Sequence, residues 1–208
     1  MTSRVITVAS SLGSGGEEIA RVVASKLGFR YVDDEIIRRA AEKAGVSPET
    51  VAQAEHTPGM VTRILQSMGR NPVVSLEGPI VPPAYDPPLG LPGYESLIVE
   101  VVRETGAQGN VVIVAHGAGI HLAGLSGLVR VFITASPVVR AERLVREAGL
   151  DERGARKAIA GSERQRREYL RRFCGVGQEL AAHYDLVINT DASPSPRAAE
   201  LIATAAQR

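Results

Sequence analysis

Apolar residues in this chain come in short runs, separated by longer stretches where they recur at helical spacing. Val5–Ala9 and Val111–Ala115 are almost unbroken apolar runs, the pattern of strands buried on both faces. Phe29–Val32, Leu128–Thr134 and Tyr184–Asn189 predict three more short strands. Ile19, Val22, Val23 and Leu27 fall on or near one face of a helix over Gly15–Leu27, with Gly28 at its stop. Asp33 and Asp34 head a helix through Ala44, and Ser47-Pro48 opens another with serine as cap. Further helices are predicted over Tyr94–Thr105, from Ser136-Pro137 to near Ala148, and after Ser193-Pro194. Asp151–Phe173 reads as one long charged helix or two short ones. Strand and helix alternate throughout, which predicts an α/β fold: a parallel sheet with helices on both faces. Ligands of such sheets sit at the carboxyl ends of the strands.

One stretch breaks the pattern. Seven of the twelve prolines fall between Gly69 and Gly93, excluding helix and central strand there. A loop this long within a compact domain usually serves binding or motion.

The first strand leads directly into candidate chemistry. Val5–Ile19, VITVASSLGSGGEEI, reads as strand, glycine-rich turn and helix start. Phosphate-binding loops are built in that order, because glycines let the backbone approach an anion and the free N–H groups of the helix start point at it. Laid over G-x-x-x-x-G-K-[ST], Ser10 stands at the first glycine, Gly15 at the second, Gly16 at the lysine and Glu17 at the Ser/Thr. The glycines remain and two working side chains do not.

Composition narrows the partners. The chain of 208 residues, 44% apolar, is long enough for one domain with a substantial core. A net charge of +1 argues against a general nucleic-acid surface, and 4% aromatic residues without tryptophan argue against base-stacking platforms. The lone Cys174 rules out an intrachain disulfide, which fits a cytoplasmic location. The N-terminal apolar run is shorter than a secretory signal requires, and no membrane span is expected.

Four stretches together resemble the cytidylate kinase-like family of nucleoside monophosphate kinases. GSGGEEIA at Gly13–Ala20 resembles its variant phosphate loop, and FRYVDDEIIRRAA at Phe29–Ala41 resembles the segment entering the monophosphate site. VVIVAHGAGIHLA at Val111–Ala123 resembles its third strand and turn. VFITASPVVRAERL at Val131–Leu144 and YDLVINT at Tyr184–Thr190 match cytidylate kinases more broadly. The resemblance implies a three-layer P-loop kinase fold, a five-stranded parallel sheet flanked by helices. It implies one domain over 1–208, with an acceptor-binding subregion near 34–106 and a lid near 149–183. It also implies ATP, Mg2+ and small nucleotide substrates. Two positions depart from the family: Glu17 stands where a basic residue is usual, and Ala115-His116-Gly117 replaces Gly-Arg-Gly. Each change removes a cation from the phosphate site.

Each candidate residue has a functional and a structural reading. Ser11, Gly13, Ser14, Gly15 and Gly16 would cradle ATP phosphates, or form a tight turn. A Glu17 carboxylate about 4 Å from a phosphate costs on the order of 4 kcal/mol near a surface. Glu17 therefore ligates Mg2+, weakens nucleotide binding, or merely complements the helix dipole. By resemblance Asp33 lies near the catalytic centre, holding Mg2+ or orienting the acceptor, while Asp34 fits a helix cap. Arg39 resembles the arginine that grips the acceptor phosphate, a task suited to its fork of donors. His116 would donate to phosphate when protonated, or is structural. Arg164, Arg167 and Arg171 share one helix face and resemble lid arginines that neutralise the transferring phosphoryl group. The other reading is a solvated face. By resemblance Arg140 and Arg143 flank the lid hinge and touch the donor.

Overall fold

The computed structural model describes residues 4–55 and 92–207. The rest of the proline-rich stretch, up to residue 91, lies outside the described residues. Five parallel strands form one sheet: β1 (Val5–Ser10), β2 (Arg30–Val32), β3 (Val111–Val114), β4 (Leu128–Thr134) and β5 (Leu186–Asn189). Their spatial order is β2-β3-β1-β4-β5. β1 is central, pairing Val5 with both Val111 and Leu128. Its burial on both faces accounts for the unbroken apolar run.

The pleat sends alternate side chains to two cores. Ile6, Val8, Val112, Val114, Val131 and Ile133 face α1 (Gly16–Leu27) and the closing helix, called α8 below (Ser195–Ala206). Val5, Val32, Val111 and Ile113 face α2 (Glu35–Ala44) and α4 (Pro92–Gln108), the latter preceded in the chain by α3 (Pro48–Glu55). The architecture is thus helix, sheet and helix in three layers. A short α5 (Ala118–His121) follows β3 directly and has no counterpart among the predicted elements.

Two helices stand at the carboxyl edge of the sheet. α6 (Pro137–Ala148) starts at Ser136, whose hydroxyl accepts from Val139 N at 3.4 Å. α7 (Glu152–Cys174) starts at Asp151, whose carboxylate accepts from Gly154 N at 2.7 Å. The charged stretch is therefore a single helix. Its first half packs Ala155, Ala158 and Ile159 on α6 and Leu12, while Phe173 near its end packs on the α2–α4 core. α7 thus spans the sheet edge and is anchored at both ends. Asp34 takes the position before α2, but its side chain makes no capping hydrogen bond, correcting the expectation for it.

Candidate functional site

β1 ends at Ser10 and the chain turns through Ser11–Gly15 into α1. Gly13 and Gly15 have φ of 78° and 79°, a region that costs other residues about 1–2 kcal/mol. Outward-facing groups tie the loop down. Ser14 Oγ donates to Ile133 O at 3.1 Å, and Ser11 N to the same carbonyl at 2.9 Å. Arg140 Nε donates to Leu12 O at 2.7 Å, Arg143 Nη1 to Gly13 O at 3.3 Å, and Thr190 Oγ1 to Ser14 O at 2.9 Å. By contrast, the N–H groups of Gly13, Gly15, Gly16, Glu17 and Glu18 meet no acceptor among the described residues. They are the donors an anion would find. Arg140 is buried beneath the loop, paired with Glu163 at 2.6 Å, and its Nη2 has no acceptor among the described residues.

An acidic flank adjoins the cradle. Asp33 follows β2, accepting from Tyr31 Oη at 3.2 Å. Burial pushes its pKa up from the usual carboxylate value, opposed by His116. Glu17, exposed at the lip of the loop, is also raised, by partial desolvation first and then by the charges of Asp33 and Asp34, with Arg21 opposing. Two carboxylates from separate elements therefore repel one another at the loop. Next to them, Ala115, His116 and Gly117 take φ of 63°, 52° and 60° in succession. This strained turn after β3 buries His116 and sets its Nε2 3.2 Å from Asp33 O and 3.9 Å from an Asp33 carboxylate oxygen. Among the described residues no three His, Cys, Asp or Glu form a metal cage. Glu17 and Asp33 nevertheless suit a hard cation that takes its other ligands from phosphate and water.

A cleft of about 220 Å3 opens beyond Ser10, between the 115–120 turn and α7. Its polar lining includes His116, Ser162, Gln165, Arg166 and Tyr184. Arg164, Arg167 and Arg171 do share a face, but it is the exposed one and none of them lines the cleft. The inward stripe of α7 runs Ala155, Ala158, Ile159, Ser162, Gln165, Arg166, Tyr169, Leu170, which turns the trio outward. Arg39, expected at the acceptor phosphate, donates instead to Thr105 Oγ1 at 3.0 Å and Glu104 at 2.8 Å, joining α2 to α4.

The arginine that does face the cleft is Arg166. It forms a two-pronged pair with Glu179, Nε at 2.8 Å and Nη2 at 2.5 Å, and Nη2 also reaches Tyr184 Oη at 3.1 Å. Its guanidinium lies 5.2 Å from the centre of the Phe132 ring, on which Tyr184 stacks. The pair raises the pKa of Arg166 and lowers that of Glu179, in each case against burial. Sequence reasoning missed Glu179, Thr190 and the service of Arg140 and Arg143 to the loop. The apolar stripe of α7 was the available signal for Arg166.

The sequence model of the cytidylate kinase-like family matches residues 5–192. A cytidylate kinase of Ignicoccus hospitalis is 27% identical over 187 residues, covering 89% of each chain. One from Methanopyrus kandleri is 26% identical over 197 residues, covering 90% of this chain and 85% of its own. Among solved structures, an uncharacterized protein from Eubacterium ventriosum superposes with a TM-score of 0.66 at 14% identity, covering 98% of both chains. A gluconokinase from Sinorhizobium meliloti gives 0.57 at 14% identity, covering 99% of this chain and 93% of that one. The structural neighbours share the P-loop kinase fold.

Proposed function

The chain belongs to the cytidylate kinase-like family, and on that premise we propose that it moves the γ-phosphoryl group of ATP to a nucleoside monophosphate, CMP or a close analogue. The observation that carries this reading is the loop after β1. Its carbonyls are drawn outward by Arg140, Arg143 and Thr190, while five amides meet no acceptor among the described residues. Phosphoryl transfer depends mostly on positioning and charge neutralisation, which such a cradle supplies.

In this reading Ser11, Gly13, Ser14, Gly15 and Gly16 hold the donor phosphates, with Arg140 lending charge from beneath. Glu17 and Asp33 would hold Mg2+, since two repelling carboxylates gain from a cation beside them. When bound, the ion offsets the charge of the phosphates. Asp33 also orients the acceptor, and His116, when protonated, donates to it. Arg166 takes the part first expected of Arg164, Arg167 and Arg171, because it is the α7 arginine at the cleft. The exposed trio is left with a solvated face.

A second reading, in which the acceptor is smaller than a nucleotide, is favoured by the gluconokinase among the structural neighbours. ATP consumption measured with Mg2+ against a panel of monophosphates and small hydroxyl acids separates the two. CMP-dependent ADP formation is expected, with Glu17→Gln needing more Mg2+ for the same rate. Consumption stimulated by no monophosphate overturns the first reading, and stimulation by a small hydroxyl acid alone supports the second.

A further inference from the structure

The common phosphate loop has glycine where this chain has Ser10 and lysine where it has Gly16. The structure joins these two departures. A Cβ built on Gly16 would fall on the Cβ of Ser10 and within 2.6 Å of its Oγ. The obstacle is not a flexible chain end. Ser10 is the last residue of β1, fixed in register opposite Ile133 of β4. Lysine at 16 thus requires glycine at 10, and serine at 10 requires glycine at 16. Ser10 Oγ takes part in none of the hydrogen bonds among the described residues that tie down Ser11 and Ser14. Ser10 borders the cleft and lies against Gly16, whose N–H is one of the unmet donors.

We propose that Ser10 and Gly16 are one coupled exchange, in which the Ser10 side chain takes the room of a side-chain stem at 16 and its hydroxyl takes over a donor role from the lysine. It donates to the transferring phosphoryl group where the cradle meets the cleft. The role of the hydroxyl rests on the phosphoryl-transfer reading above; the steric coupling does not. A hydroxyl brings a hydrogen bond without a charge. Neutralisation at the transferring group then falls to Arg166 and to the cation that Glu17 and Asp33 would hold.

Five proteins test this: wild type, Ser10→Ala, Ser10→Gly, Gly16→Lys and the Ser10→Gly/Gly16→Lys double variant. Thermal unfolding, ATP calorimetry and steady-state ATP consumption are measured on each. Gly16→Lys should lower Tm by about 5 °C or more, as overpacking does, and the double variant should recover most of that loss. Ser10→Ala should melt like wild type, with kcat down about tenfold to a hundredfold and KM for ATP little changed, as for a lost hydrogen bond to a charged group. Gly16→Lys melting no lower than the double variant overturns the coupling. Ser10→Ala with wild-type kcat and KM overturns the hydroxyl's role. Wild-type protein that neither binds nor consumes ATP overturns the proposed function and that role together, while the melting comparison decides the steric exchange alone.

Discussion

Arg166→Gln removes the charge at the cleft while keeping a polar side chain of similar reach. The structure sets the size of the effect. Three hydrogen bonds are lost, two of them to the Glu179 carboxylate at 2.8 and 2.5 Å. Both side chains are largely covered, 25% and 19% exposed, so solvent compensates only in part. Glu179 keeps the Tyr184 hydroxyl as donor. The net cost in stability should be about 2–3 kcal/mol, a fall in Tm of about 5–10 °C. Turnover should fall further, toward about a thousandfold, the low end for an arginine at a transferring phosphoryl group. Glu179→Gln separates the two effects: it loses similar stability but keeps the guanidinium at the cleft, and turnover should stay within about tenfold of wild type. Urea denaturation and ATP consumption on both variants give the comparison. A triple change of Arg164, Arg167 and Arg171 to Gln should leave turnover intact. Wild-type turnover by Arg166→Gln, or its abolition in the triple variant, would refute the assignment.

Two other predictions concern the loop and its acidic flank. Gly13→Ala and Gly15→Ala share the backbone penalty of a positive φ, but only at Gly13 does the new Cβ meet protein, 2.8 Å from Arg140 O. Gly13→Ala should therefore lose about 1–3 kcal/mol more in urea denaturation, and equal losses would contradict the packing described. The second concerns pH. Partial desolvation and the Asp33 charge raise the Glu17 pKa, so the folded state holds the proton more tightly than the unfolded one. That contribution favours folding below the usual carboxylate range and is lost as pH rises through the raised value. Glu17→Gln should accordingly gain Tm relative to wild type in melts run from about pH 4 to about pH 8 without metal. A variant that loses stability relative to wild type over that climb would reverse the sign.

Much of the fold was legible because its signals are local. The apolar runs, the glycines of the first turn, and Ser136 and Asp151 before their helices each act within a few residues. Strand order is a different matter. It brings Asp33, just past the end of the edge strand, toward Glu17, two residues that sequence alone could pair only by resemblance. The arginines of α7 show what a local signal leaves out. Charge density drew attention to Arg164, Arg167 and Arg171, yet the position of a helix face is decided by the apolar stripe, and that stripe points Arg166 inward. Glu179 was illegible because it meets Arg166 only after the chain turns back beyond Gly175. Arg39 resembled a ligand, but the carboxylate of Glu104 lies 65 positions away and claims it in three dimensions.

The ties beneath the phosphate loop also have a kinetic meaning. Leu12, Gly13 and Ser14 are held through their carbonyls by Arg140, Arg143 and Thr190, all contacts made within the chain itself. Fixing a backbone residue costs about 1–2 kcal/mol of conformational entropy, and here folding has already met that cost. On the proposed function an incoming triphosphate need not order the loop, so its association rate should follow collision and orientation rather than a slow rearrangement. Discrimination among nucleotides then lies in residence time: those that satisfy the waiting amides dwell, and those that do not depart.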